Sequence, residues 1–268
     1  FKLQSTSNDT YLKSDKIKSD LINDTDTMEN SLNLDLYSND LSINLSSTIY
    51  EDLNKKNSDR FEYIFPRIKL AKNLNNFTNL NGNFLLESDT LLRQFDTNVS
   101  EKRNVNNFIF KSISKINGYG FLNNHEFLIR NTNSENKNSN YKNKKHFFTS
   151  SMYQFNSNFP LIKENDNFQK IFKPKLSLKA APNHTKNERN VERKIDITNI
   201  YSLDRTTDNT SVEGGFSAIY GFDYSILDKL NTKEILNLKL ANNIRLKKND
   251  DISNMNQIGE KTSNVFSE

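Results

Sequence analysis

Few side chains in this sequence stand at spacings that support chemistry. Gly214-Gly215 with Gly221 comes nearest to a glycine-rich phosphate loop. The residues around these glycines alternate as a strand does, however, and no helix follows to offer an N-terminus to a phosphate. A bulge or close strand packing is what they support. His125, His146 and His184 lie far apart, and with no Cys in the chain no metal-ligand series emerges. There is no G-x-S-x-G elbow, no H-E-x-x-H helix and no calcium loop. Asp250-Asp251 reads as a pair of loop charges, and the N-x-T spacing of Asn183-His184-Thr185 is a chance product of 44 asparagines. Glu213 and Asp223 would acquire chemistry only by pointing into a shared cavity. With no nucleophile beside a base, the expectation is a protein that is not an enzyme and holds no cofactor or metal.

The elements that carry these residues are strands. From Val212 to Ile226 the even positions read Val, Gly, Phe, Ala, Tyr, Phe, Tyr, Ile and the odd ones Glu, Gly, Ser, Ile, Gly, Asp, Ser. This alternation predicts a long strand with one apolar face, and it assigns Glu213, Ser217 and Asp223 to the polar face. The pattern recurs at Leu32 to Leu36, Leu41 to Ile49, Phe147 to Phe159, Leu176 to Ala180 and Leu236 to Leu246. Helical periodicity is nearly absent. Polar separators are expected at Asn23 to Asp26, Asn54 to Asp59, Asn131 to Lys145, Lys163 to Asn167 and Asn183 to Arg193.

Composition narrows the architecture. Only 34% of the 268 residues are hydrophobic, which is little for a single packed core. Leu, Ile, Val and Phe nevertheless number 73, or 27%, above the ~20% line under which chains stay disordered. The net charge of +4 is small, and the run Lys142-Asn143-Lys144-Lys145 is short and diluted by Asn, so no nucleic-acid partner is expected. A β-sandwich would want shorter strands and more apolar residues. A solenoid would need a fixed period, and none is found. A transmembrane β-barrel, with lipid on one face and a polar lumen on the other, accounts for both the length of the strands and the shortage of apolar residues. The expected fold is therefore all-β, an antiparallel barrel segment of about a dozen amphipathic strands spanning 1–268 as part of one domain. Phe 19 and Tyr 10, with Tyr11, Tyr50, Tyr63, Tyr119, Tyr153 and Tyr201 near expected strand ends, fit interfacial girdles, although aromatics also favour strands in general. The start at Phe1 inside a strand-like run reads as a piece of a longer protein.

Several segments resemble one family. Pro182-Asn183, Asp196 with Asn199 before Ile200-Tyr201, Arg205, Glu213-Gly214-Gly215, and Tyr220-Gly221 occur in the order seen in the C-terminal barrel of the LptD lipopolysaccharide-assembly proteins. Asp9-Thr10-Tyr11-Leu12, Phe65-Pro66-Arg67-Ile68, Gly82 to Arg103, Phe159-Pro160-Leu161-Ile162 and Ile258-Gly259 are similar to further segments of that family. Loop positions depart from its pattern at His184-Thr185-Lys186 and Thr206-Thr207-Asp208. The resemblance implies an outer-membrane location and transport of lipopolysaccharide into the outer leaflet. It also implies a plug lipoprotein of the LptE type inside the barrel and a periplasmic lipopolysaccharide bridge. That bridge would dock on a jellyroll domain that, like the terminal barrel strands, falls outside this chain. Glu213, Ser217 and Asp223 would then face the lumen. Another outer-membrane barrel, such as a porin or receptor, and a surface β-rich adhesin are the alternatives.

Overall fold

Asparagine, the most frequent polar residue here, makes turns. In the computed structural model, Asn117 Oδ1 accepts from the backbone N–H groups of Tyr119 and Phe121, both at 3.0 Å. Asn165 Oδ1 accepts in the same way from Asn167 and Phe168 at 3.2 and 2.6 Å, and Asp228 caps Leu230 and Asn231 at 2.9 and 3.3 Å. Such side chains replace the backbone partner that a tight turn lacks. The structure describes all residues except 75–80, 140–142, 144, 183–188, 190–193, 207–210, 254 and 256.

Between the turns the chain is almost entirely antiparallel sheet. The strands are β1 (Thr27–Tyr37), β2 (Leu41–Asp52), β3 (Phe61–Leu74), β4 (Gly82–Phe95), β5 (Val99–Ser112), β6 (Lys115–Ile116), β7 (Leu122–Lys137), β8 (Lys145–Asn158), β9 (Leu161–Glu164), β10 (Phe168–Ala181), β11 (Gly215–Asp228), β12 (Lys233–Arg245) and β13 (Phe266–Ser267). They form one 13-stranded sheet in the order β1-β2-β3-β4-β5-β7-β8-β10-β11-β12-β13, with β6 beside β7 and β9 beside β10. Ten strands run 11 to 16 residues, about twice the usual ~5–6. The expected all-β class is thus observed. Among the described residues no pairing joins β1 to β13, so the sheet is not closed.

Two expectations are corrected. Asn131 to Lys145 was expected as a separator, yet β7 continues to Lys137. Its polar residues are held by cross-strand partners, Asn133 Nδ2 donating to Asn104 Oδ1 at 3.3 Å and Glu135 pairing with Lys102 at 3.7 Å, so polarity there marks a polar strand face. The alternating run from Val212 enters the ladder only at Gly215. At φ +94° this residue leaves the extended conformation and turns Val212-Glu213-Gly214 away from the sheet. The basic run at Lys142 and Lys144 lies outside the described residues.

Packing divides the chain into two compact units, 1–74 with 85–107 and 131–148, and 75–84 with 108–130 and 149–268. In the first unit the leucines of β1 and β2 stand in register, Leu34 opposite Leu45 and Leu36 opposite Ile43, and Ile68 and Leu70 of β3 extend both rows. Leu32, Leu34 and Leu36 are more than half exposed. The opposite face is polar. Asn44 Nδ2 donates to Asp35 Oδ1 at 2.6 Å, Arg67 is bidentate to Asp89 at 3.2 and 2.9 Å, and Arg93 binds Glu62 at 2.6 Å. Pro66 falls beside the irregularity at Ser46/Thr48, where its missing donor disturbs no regular ladder. The short helix α1 (Tyr11–Ser14) buries Leu12 against Met28 and Leu53, and Arg60 ties Asp9 to Glu51 beside it.

In the second unit β10, β11 and β12 repeat this division. Phe172, Tyr224 and Leu238 form one row across the three strands, and Pro174, Phe222 and Leu240 the next. Pro174 sits where β8 gives way to β9 as neighbour, so its lack of an N–H leaves no acceptor stranded. On the other face Lys175 pairs with Asp223. A buried cluster there joins Ile195, Ile197 and Ile200 from the 182–214 connection to Ile219, Ala241, Ile252 and Ile258. The connection thus folds back onto the polar face of the sheet. Space is tight at Gly221, where an added Cβ would lie 2.0 Å from the Leu240 carbonyl oxygen and 2.8 Å from the Ala241 Cα of β12, and 2.7 Å from the Tyr201 hydroxyl of the connection. Gly221→Ala should therefore destabilise the protein by about 1–3 kcal/mol, the usual cost of overpacking. Gly118→Ala, which meets nothing within 4 Å, should move the denaturant midpoint little. Equal midpoints for the two variants would refute the close packing around Gly221.

Candidate functional site

The connection between β10 and β11 is held on the sheet both by its buried isoleucines and by a set of polar and charged contacts. Its entry is a turn in which Asp196 Oδ1 accepts from the Thr198 N–H at 2.9 Å and the Thr198 hydroxyl at 2.6 Å, while Asn199 Oδ1 accepts from the Asp196 N–H at 3.1 Å. The Thr198 hydroxyl holds the Asp196 carboxyl below its ordinary pKa. Backbone bonds from Asn199 and Ile200 to the Asp196 carbonyl complete one helical turn. That turn aims Ile200 and Tyr201 at the sheet. Tyr201 lies over Gly221 with the Lys175 ammonium 5.4 Å from its ring centre. Burial pushes its hydroxyl pKa up, and that hydroxyl has no partner among the described residues.

Arg205 and Glu213 form the centre. Arg205 Nε and Nη2 donate to the two oxygens of Glu213 at 2.7 and 2.5 Å, and Arg245 Nη1 from β12 donates to Glu213 Oε1 at 2.5 Å. All three side chains are essentially inaccessible to solvent. Asn243 Oδ1 accepts from both terminal nitrogens of Arg205 at 3.2 Å. Arg245 Nη2 also donates to the Gly214 carbonyl, which Asn249 reaches at 3.4 Å. At Gly215 an added Cβ would stand 2.8 Å from Arg245 Nη2. Burial pushes the Glu213 carboxyl up, but Arg205, Lys179 and Arg245 outweigh it and hold the group far below the usual carboxylate range.

Neighbouring strands supply further anchors. Lys179 of β10 donates to the Ser202 carbonyl and, at 3.1 Å, to that of Leu203. Gln154 of β8 donates to the Tyr201 carbonyl at 2.8 Å. Arg130 of β7 donates to the Ser211 carbonyl and pairs with Asp204 at 2.8 Å. Polar side chains of β7, β8, β10 and β12 thus satisfy the backbone or charges of one buried segment. Every oxygen of Glu213 is occupied, and among the described residues no group of three His, Cys, Asp or Glu residues could hold a metal. This arrangement immobilises a chain segment.

The residues singled out in the sequence have separate fates. Arg205, Glu213, Gly214 and Gly215 meet at this centre, with Asp196 and Asn199 in the turn that leads to it. Ser217 is buried on the same face, in register between Lys179 and Arg245, and Asp223 lies two residues past Gly221 on that face. Glu213 stands off the strand, so strand parity does not explain its orientation. Tyr220 is on the opposite, apolar face and half exposed, and Pro182 is exposed. Asn183 lies outside the described residues. Tyr201, expected near a strand end, is instead within the cluster. Sequence reasoning passed over Arg245, Asn243, Lys179, Gln154 and Arg130. A signal did exist for Arg245 and Lys179, charges on the polar parity of otherwise amphipathic strands. Neither a scan of family models nor a search of curated proteins returns a match to this sequence.

Removing the shared carboxylate leaves two guanidiniums buried without it. Glu213→Ala should therefore cost about 3–5 kcal/mol of stability, read as a lower denaturant midpoint. The pH dependence has a definite sign. The folded carboxyl lies below its ordinary 4.5, so its stabilisation is complete above that value and is lost as pH falls through the lower folded value. The wild type should lose stability steeply in strong acid, and Glu213→Gln should lack that component. Parallel acid-unfolding profiles would contradict the pairing.

Proposed function

We propose that this chain forms wall strands of an outer-membrane β-barrel of the lipopolysaccharide-transport type. The observation that carries the membrane part is the division of the sheet into an exposed leucine- and phenylalanine-rich face and a polar face that buries Arg205, Glu213 and Arg245 beneath a returning segment. Hydrocarbon accommodates the first face without loss, and a polar lumen accommodates the second. Paired strands of this length also satisfy their backbone groups in lipid, as a membrane demands. No helix among the described residues is long and apolar enough to cross a membrane, so any crossing falls to the strands.

The transport part rests on the ordered motifs from Pro182 to Tyr220-Gly221, which resemble those of the LptD proteins. In that reading the protein accepts lipopolysaccharide from a periplasmic bridge, holds a plug lipoprotein of the LptE type, and releases its cargo into the outer leaflet. The wall itself does no covalent chemistry, and Glu213, Ser217 and Asp223 lie toward the lumen. The 182–214 segment narrows that lumen, and the Arg205–Glu213–Arg245 centre keeps it in place.

Two measurements test the two parts. In native membranes, cysteines replacing Leu34 or Leu238 should react with a lipid-soluble maleimide and resist an impermeant one, whereas Asn44→Cys should show the reverse after permeabilisation. Identical reactivity at all three positions would remove the membrane reading. Depletion of the protein should lower surface lipopolysaccharide. An unchanged surface level would remove the transport reading and leave a barrel of another kind.

A further inference from the structure

Within the second unit, the apolar face of β9 to β12 carries its charge at one end. From Phe172 to Ala180 on β10, Phe216 to Ile226 on β11 and Leu236 to Ile244 on β12, every residue on that face is uncharged. Where β9 turns into β10, Lys163 and Lys170 stand directly opposite each other on it. Like charges in register destabilise a strand pair, and no carboxylate offsets them here. Among the described residues neither lysine takes part in an ion pair, although Glu164 and Asp166 are close in sequence. Glu164 lies on the opposite parity, where it accepts from Gln169 and pairs with Lys229 at 3.4 Å. Asp228, the carboxylate of the apolar face at this end, stands opposite Lys233 and accepts from the N–H groups of Leu230 and Asn231 and from the Asn231 amide.

The row behind the lysines is apolar. Leu161 and Phe172 are paired there, followed by Tyr224 and Leu238, while Ile226 and Leu236 continue the lysine row itself. Leu161 is 46% exposed and Phe172 37%, so two unpaired ammonium groups border an open hydrocarbon surface. A soluble anion would match the charges alone. A lipid matches both, because lysine stems lie along apolar surface while their heads reach the polar boundary. The level of that boundary follows from the connections of the same unit. At this end β9 is joined to β10 by 165–167 and β11 to β12 by 229–232, whereas 182–214 and 246–265 fill the other end. In outer-membrane barrels the short turns are periplasmic, which puts the lysine pair at the headgroups of the periplasmic leaflet.

We infer that Lys163 and Lys170 together bind the phosphate of an anionic glycerophospholipid of the periplasmic leaflet, an inference that rests on the membrane reading above. One phosphodiester between the two ammonium groups removes their repulsion and gains a charge-assisted contact from each. The acyl chains then lie over Leu161 and Phe172 and along the row of Tyr224 and Leu238. Phosphatidylglycerol leaves its negative charge to the lysines. Phosphatidylethanolamine brings an ammonium of its own, which competes with them for the phosphate. The pair therefore selects by headgroup charge.

The test uses the whole protein in nanodiscs of equal phosphatidylglycerol and phosphatidylethanolamine, with the lipids retained after release into detergent counted by native mass spectrometry. Wild type should retain phosphatidylglycerol in preference. Lys163→Gln and Lys170→Gln should each lower that preference about fivefold, the weight of one lysine at an anionic surface. Lys56→Gln with Lys247→Gln, which removes two exposed charges elsewhere, should leave it unchanged. Lys170→Glu makes the cross-strand pair opposite in charge. It should hold or raise the thermal midpoint in neutral detergent and still lose the preference, a combination that poor folding cannot produce. No preference in wild type, an equal loss in the variant at Lys56 and Lys247, or a preference that survives Lys170→Glu would overturn the site. Cysteine labelling at Leu34 and Leu238 reads the membrane wall separately. Labelling as expected with no lipid preference overturns the lysine site alone. A preference with the expected variant pattern but uniform labelling supports the phosphate contact and removes the wall reading.

Discussion

The second unit of this protein depends on a single carboxylate. Glu213 is bonded by Arg205 from its own connection and by Arg245 from β12, and Lys179, Gln154 and Arg130 tie the same connection to neighbouring strands. A buried pair of this kind is expensive to desolvate, so it favours one arrangement of the chain more than it adds net stability. Any displacement of the connection would leave a charge in the interior without its partner. The surrounding details follow from this requirement. Gly215 takes a positive φ beside Arg245, Gly221 makes room for Tyr201, and Asn243 with the Ile200 carbonyl accepts from the remaining donors of Arg205.

The sheet supplies the frame for this interaction and takes its form from another constraint. Long antiparallel strands present two faces, and each face must meet a medium that suits it. Rows such as Leu34, Leu45 and Ile68 suit an apolar medium, whereas Arg67 with Asp89 and Arg93 with Glu62 suit water or one another. The low apolar content of the chain is consistent with this division, because only one side of each strand has to be hydrophobic and few residues enter a closed core. Where the division fails, across β4, β5 and β7, the amides of one strand bond to those of the next.

Much of the strand architecture was legible as alternation. Leu32 to Leu36, Leu41 to Ile49 and Leu236 to Leu246 each became a strand, because a period of two has only one regular backbone solution. Polar strands were less legible. Asn131 to Lys137 looks like a loop by composition, and only its cross-strand partners Asn104 and Lys102 make it part of the sheet. The start of β11 was misplaced for a related reason. Val212 and Glu213 continue the alternation, but the conformation of Gly215, which no pattern of hydrophobicity encodes, ends the ladder there.

By itself the sequence determined the all-β class, the amphipathic character of the strands and the absence of any recognisable catalytic motif, since these follow from residue types and spacings along the chain. The resemblance singled out Arg205, Glu213, Gly214 and Gly215 along with Pro182, Asn183, Asp196, Asn199, Tyr220 and Gly221, without setting the four apart. Only the tertiary structure decided what they do. Arg245 is 32 residues from Glu213 and Gln154 is 47 residues from Tyr201, and no local pattern reports that such distant groups share one buried site. Strand pairing sets those contacts through register, and the energy of a buried charge depends on partners that only the folded chain brings within hydrogen-bonding distance.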